Sequence, residues 1–203
     1  MREPATMGRP REFDEDVALG AIMGVFWAKG FEGTSMSDLV GATGLKKGSL
    51  YAAFGNKRAM YHKALALYDR TTIDATVQGL KGSGTPRSRI DRFLGAAVER
   101  SSRASGERGC FVCNASIDQA PSDTGTARLV QASLARLEAV LAEVLSELGA
   151  GTGGPSLTPA EARLRARHLM LVYFGLRVLA KAGAAAAVLQ DAKRAALADL
   201  ISD

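Results

Sequence analysis

Lys46, Lys47, Ser49, Tyr51 and Lys57 sit in one short stretch, and from residue 39 to 68 the chain carries Lys46, Lys47, Lys57, Arg58 and Lys63 without one Asp or Glu. Ammonium groups, a hydroxyl and a phenol with no competing carboxylate suit a polyanion: lysine pairs with phosphate or donates to guanine O6 and N7, and tyrosine offers an apolar ring with a polar tip. Gly48, between them, leaves the backbone open to close approach. The second set of reactive groups is Gly109-Cys110-Phe111-Val112-Cys113-Asn114. A thiol at a helix start beside Arg108 is expected to ionise more readily, and Cys113, one turn on, is placed to act as a resolving thiol. The alternative is that both cysteines are small buried hydrophobes.

Other chemistries find less support. A dithiol redox enzyme would hold two cysteines at this spacing in a βαβ unit, and strand signals are scarce here. His62 and His168 are isolated and the cysteine pair has no third ligand nearby, so no metal site is expected. No Gly-x-Ser-x-Gly, phosphate loop or pair of cleft carboxylates is present, so the chain is not expected to be an enzyme or to need a cofactor. With 203 residues, 47% of them hydrophobic, it can bury a sizeable core. The formal charge of +5 divides nearly evenly about residue 68, which makes the acid-free stretch more informative than the total. Two cysteines, a charged start and the absence of a long apolar run give the expectation of a soluble, cytoplasmic protein with no membrane partner.

Helices must position these groups, because apolar residues recur at three- and four-residue spacing almost everywhere after Asp14. The first is expected over about 15–29, capped by Asp14 and ended by Gly30, with Val17, Ala21, Val25 and Ala28 on its buried stripe. A second begins near Ser35 and turns at Gly44 into a third over about 46–54, with Leu50 and Phe54 facing inward. Asn56 then caps a long helix to about Val77. Pro86 opens a helix holding Ile90, Leu94, Ala97 and Val98, and a short element follows from Cys110 to Gln119. A helix over about 126–148 carries Val130, Leu134, Leu137, Leu141, Val144 and Leu148, and Thr158-Pro159-Ala160-Glu161 starts the next with a capping box. That helix is apolar on most sides, through Leu164, Leu171 and Val178 and through Leu169, Val172, Leu176 and Leu179. The last helix, with Leu189, Ala196, Leu197, Leu200 and Ile201, shows the same excess, and both are candidates for a homodimer interface.

From about Arg9 to Tyr68 the chain resembles the DNA-binding domain of the TetR family of bacterial repressors. The matching residues are Gly30-Phe31-Glu32-Gly33-Thr34-Ser35, Thr43-Gly44-Leu45-Lys46-Lys47-Gly48-Ser49-Leu50-Tyr51 and Phe54-Gly55-Asn56-Lys57. The resemblance implies that the third helix enters the major groove, with Lys46, Lys47 and Ser49 near base edges and Tyr51 on a phosphate or a thymine methyl. It places Lys57 on a phosphate, helped by the amides opening the fourth helix. Ser35 and Ser37 are candidates for a second phosphate, and Arg9 and Arg11 for a backbone or minor-groove arm. Gly109-Cys110 is similar to the Gly-Cys start of the sixth helix in a branch of the family, some of whose members sense oxidants or electrophiles through that cysteine.

The expected protein is all-α. Residues 1–56 form an arm and a helix-turn-helix reader, 57–77 a connecting helix, and 78–203 an effector-binding and dimerisation domain. Its partners are a palindromic double-stranded DNA operator, a second copy of the chain through the last two helices, and a small-molecule effector. Cys110, Cys113, Asn114, Phe93, Phe111, Met170, Tyr173 and Phe174 are the candidate effector-binding or sensing residues, any of the rings being equally at home in an ordinary core. The rival reading is a helical small-molecule carrier or enzyme without operator specificity.

Overall fold

The computed structural model describes residues 13–99, 108–148, 157–198 and Leu200, and among them every regular element is a helix. Arg9, Arg11 and Ile201 lie outside the described residues. Helix α1 (Glu15–Lys29) starts where the Asp14 carboxylate accepts the amides of Asp16 and Val17 and ends at Gly30, whose φ of 71° favours glycine. Its buried face is Ala18, Leu19, Ile22 and Phe26. The expected stripe holds only in part: Val25 packs against the core, whereas Val17 is 70% exposed and Ala28 also faces solvent. Because α1 is apolar on more than one side, its period fits two stripes, and the larger Ile22 and Phe26 take the core.

Helix α2 (Met36–Thr43) is closed by a reciprocal cap between Ser35 and Asp38 and stops at Gly44, in the left-handed conformation with φ 68°. Helix α3 (Lys47–Phe54) buries Leu50 and Phe54, and Lys63 donates to the Ala53 carbonyl at 3.1 Å, placing a cation at its C-terminal end. Leu39, Leu50, Phe54 and Met60 complete the small core beneath these three helices.

Asn56 caps α4 (Lys57–Tyr68), which continues without a break through a π-helical turn (Asp69–Ile73) into α5 (Asp74–Lys81). The buried positions show why. Tyr61, Leu65 and Ala64, Tyr68 step by four, Tyr68 to Ile73 steps by five, and Ile73 to Val77 steps by four again. A regular α turn would bring polar Thr72 inward; the extra residue of a π turn brings Ile73. Arg136 ties both ends of the turn, with Nη1 3.0 Å from Asp69 Oδ2 and Nη2 2.5 Å from Asp74 Oδ1, and Ser133 donates to Asp69 at 2.6 Å. The helix therefore outruns its expected end at Val77, because buried Leu80 anchors the segment that Gly79 alone would end.

Four longer helices and one short one enclose the second core: α6 (Pro86–Glu99), α7 (Phe111–Asp118), α8 (Thr124–Ser146), α9 (Pro159–Lys181) and α10 (Ala186–Ala198). The Thr158–Glu161 capping box with Pro at the first position starts α9 as expected. Two apolar stripes of α9 are treated differently: Leu169, Met170, Tyr173 and Leu176 are buried, whereas Leu164, Leu171, Val178 and Leu179 are exposed. No helix of the described residues is long and apolar enough to cross a membrane.

Candidate nucleic-acid interface and regulatory core

Lys46, Lys47, Gly48, Ser49 and Tyr51 are all exposed along one short helix whose other face is locked into the core by Leu50 and Phe54. Lys46 holds the N-cap position without a side-chain cap bond, and Lys47 Nζ lies 5.9 Å from the centre of the Tyr51 ring. No acidic side chain belongs to α3, so the helix presents cations, a hydroxyl, a phenol and bare backbone to whatever faces it. Lys57 opens α4 with its ammonium 4.4 Å from the Phe31 ring centre, and the Arg58 guanidinium lies 4.9 Å from the same ring.

The start of α2 is less open than its sequence suggests. The Ser35 hydroxyl is engaged with Asp38, accepting its amide at 3.1 Å and donating to its carboxylate at 2.8 Å. The hydrogen bond from Lys29, then those from the Ser35 amide and hydroxyl, hold the Asp38 carboxyl well below the ordinary carboxylate range. The positive end of α2 thus already holds an anion of its own, and Ser37 is the exposed hydroxyl that remains.

Where the reader meets the larger core, sequence reasoning missed several residues. His62, read as isolated, has Nε2 2.5 Å from Asp123 Oδ2, and Arg58 Nη1 lies 3.2 Å from Asp123 Oδ1. Asp123 also caps α8, accepting the Thr126 amide at 2.9 Å and hydroxyl at 2.5 Å. Burial alone would push the Asp123 carboxyl up; bonds from the Thr126 hydroxyl, His62 and the Thr126 amide outweigh it and hold the group well below the ordinary value. Gly125 makes room for this joint, since a Cβ there would lie 2.5 Å from His62 Cε1. Asp118, at the end of α7, accepts the Phe31 amide at 3.3 Å. A chain of edge-on rings runs through the same region: Phe26 to Tyr61 at 5.2 Å, Tyr61 to Phe111 at 5.5 Å, Phe111 to Tyr68 at 5.7 Å and Tyr68 to Trp27 at 5.0 Å.

The expected effector residues fall into two groups. Phe93 stacks on Tyr173 at 4.2 Å, Tyr173 meets Phe174 edge-on at 5.4 Å, and Met170 lies one turn earlier on α9. Phe111 belongs instead to the ring chain of the joint. Cys110 is the N-cap of α7, buried, with the Tyr68 hydroxyl donating to Sγ at 3.7 Å. The Arg108 guanidinium packs 5.1 Å from the Trp27 ring centre. Burial, then Cys110, pushes the Cys113 thiol up, against weaker pulls from Arg177 and Lys181. Asn114 donates to the Arg108 carbonyl at 2.8 Å and accepts from Lys181 at 3.1 Å. Arg177, which sequence reasoning did not single out, joins the two groups: it lies one turn beyond Tyr173 and donates from Nη2 to the Gly109 carbonyl at 2.6 Å. His168 is exposed on α9, in a groove of about 400 Å³ shared with Leu164, Leu171, Ala196 and Leu200.

The family description of bacterial regulatory proteins of the tetR family matches residues 18–64, the span from α1 into α4. The HTH-type transcriptional repressor ComR of Escherichia coli (strain K12) is 32% identical over 141 residues, covering 69% of this chain and 67% of ComR. A cysteine-substituted form of the TetR family regulator CifR, solved with 26-base-pair operator DNA, is 30% identical and superposes with a TM-score of 0.81 over 93% of this chain and 98% of CifR. Reduced NemR of E. coli, at 20% identity and a TM-score of 0.78 over 89% of this chain and 93% of its own, shares the fold. The chain belongs to the TetR family of bacterial regulatory proteins and is a DNA-binding transcriptional regulator.

Proposed function

We propose that this protein represses transcription as a homodimer seated on a palindromic operator and is released by an effector bound among α6, α7 and α9. One observation carries the reading: α3 exposes Lys46, Lys47, Gly48, Ser49 and Tyr51 on a helix whose back is fixed by Leu50 and Phe54. In this reading Lys46, Lys47 and Ser49 meet base edges, Tyr51 a phosphate or a thymine methyl, and Lys57 and Ser37 the backbone, with Ser35 serving as the cap that aims α2. Arg9 and Arg11 remain the proposed arm. Residues 1–56 are the reader, 57–77 the core of the connecting helix, and 78–203 the effector-binding and dimerisation part. The exposed stripe of Leu164, Leu171 and Val178 on α9, with exposed Val188 on α10, supports pairing of these helices with a second copy. Twofold symmetry would then set two α3 helices about one turn of DNA apart, roughly 34–36 Å.

An effector would act through the joint. Cys110 begins α7 and Asp118 ends it on the Phe31 amide, so a shift of this short helix reaches the reader directly. A coupling of about 1–3 kcal/mol is typical of such switches. A thiol trigger is a second reading of the same core, favoured by the meeting of Cys110, Cys113, Arg177 and Lys181 at the start of α7 and opposed by the burial of Cys110 and the half-burial of Cys113. Fluorescence anisotropy with the protein's own promoter, at two salt concentrations, tests the main reading; equal affinity for that promoter and random DNA would sink it. Loss of operator binding after mild peroxide or quinone treatment, abolished in Cys110→Ser, is the result the thiol trigger requires.

A further inference from the structure

Three of the four buried polar side-chain atoms without a hydrogen-bond partner among the described residues surround Tyr68 and the start of α7: Trp27 Nε1, Arg177 Nε and Arg177 Nη1. All are donors. Arg177 is 3% exposed, and its one hydrogen bond, from Nη2 to the Gly109 carbonyl, neutralises no charge. The other buried arginine behaves differently, since Arg89 pairs with Glu147 and donates to the Leu80 carbonyl. A guanidinium this deep without an anion among the described residues is costly, and an arriving anion would offset that cost.

The geometry suits an anion with two acceptor oxygens side by side. Nε and Nη1 lie on either side of Nη2, so whichever Nη2 hydrogen the Gly109 carbonyl takes, one complete two-point edge of the fork stays open; that edge matches a carboxylate. Tyr173, Arg177 and Lys181 follow one another at four-residue spacing on α9, setting a ring, a guanidinium and an ammonium in line along one face. At the first of these positions Phe93 and Phe174 extend the ring surface. At the last, Lys181 is steadied by Asn114. α7 begins here without a side-chain cap bond, so its positive end adds to the same field.

We propose that Arg177 anchors a small organic carboxylate, with the acid on the guanidinium edge and its apolar body against the rings of Phe93, Tyr173 and Phe174. The inference rests on the reading of this part of the chain as effector-binding and names the class of effector. Its binding would replace an unpaired buried charge by a paired one and hold the start of α7 to α9.

The test uses the full-length protein with hexanoate and benzoate as probes and hexanamide and benzamide as uncharged counterparts. Melting temperature and the emission of Trp27, the chain's one tryptophan, are followed. At least one acid raises the melting temperature by several degrees and binds at least tenfold tighter than its amide. Arg177→Lys keeps part of that difference, and Arg177→Met removes it. Unliganded Arg177→Met melts at or above the unsubstituted protein, because an uncompensated charge has been removed. Equal shifts with acid and amide, or none with either, overturn the proposal, and this comparison in the unsubstituted protein stands even if the Met variant fails to fold. If no acid binds while Arg177→Met slows alkylation of Cys110, the missing anion is the protein's own thiolate and the proposal is likewise overturned. Operator affinity measured in the same samples separates the two claims. Intact operator binding with no acid response removes only this inference, whereas acid binding without operator recognition leaves the site and removes the repressor reading.

Discussion

Single side chains divide the work of recognition by what each can reach. Lys57 opens a helix and rests on Phe31, a position suited to phosphate; Lys57→Ala should weaken operator and unrelated DNA by the same factor and lower the slope of log affinity against log salt by about one. Lys46→Ala or Lys47→Ala should instead cost about 1–3 kcal/mol on the operator and less on random DNA, measured as the ratio of the two affinities. A uniform loss would reassign those lysines to the backbone. The Cys113 thiol, pushed up by burial, should be alkylated by iodoacetamide slowly at pH 7 and quickly only above the ordinary thiol range; rapid labelling at neutral pH, read by mass spectrometry, would contradict its burial. The exposed cations of the reader were legible in the sequence because no acid lies among them. Arg177 was not: an arginine between Leu176 and Val178 usually carries its head to water, and only the packing of α6, α7 and α9 shows that this one stays inside.

Elements were legible wherever a local signal set their ends. Asp14, Asn56 and Thr158 each cap the helix they were expected to cap, and of Thr34 and Ser35, which could both have capped α2, Ser35 does, because a cap is an interaction of three or four neighbouring residues. What depended on a distant partner was missed. The start of α8 lies at Thr124, two residues before the expected Thr126, because Asp123 is its cap and is held by His62 and Arg58 from another helix. That joint should respond to acid. The folded Asp123 carboxyl lies below its unfolded value, so its contribution is complete above the ordinary carboxylate value of 3.8 and is lost as pH falls through the lower folded value. Asp123→Asn should keep the α8 cap but lose the charged contacts with His62 and Arg58, so the variant should melt below the unsubstituted protein near neutrality and approach it in strong acid. Gly125→Ala should destabilise the same joint by displacing His62. A Gly125→Ala protein that melts unchanged would mean that the ring moves aside freely.

At the scale of the molecule, the all-helical plan and the order of its parts were readable from periodicity, whereas the choice of buried face was not wherever a helix is apolar on several sides. α1 resolves that ambiguity inward, α9 outward. Leu171, 75% exposed, is the sharpest test of the outward surplus: Leu171→Glu should yield a monomer in analytical ultracentrifugation and lower operator affinity at least tenfold through lost bivalency. A dimer of unchanged strength would move the interface elsewhere. The π turn between α4 and α5 has a further consequence for how the two halves of the chain stay aligned. Each residue added to or removed from a helix turns one end against the other by about 100°. The helix from Lys57 to Lys81 already stores one surplus residue at Asp69–Ile73, so removing Thr72 would restore a plain four-residue step from Tyr68 to Ile73 and leave both ends in phase. Removing Ala66 would instead rotate the DNA-reading end away from its seat. The turn is therefore the one place in this helix where the chain can be shortened by a residue without misaiming the reader.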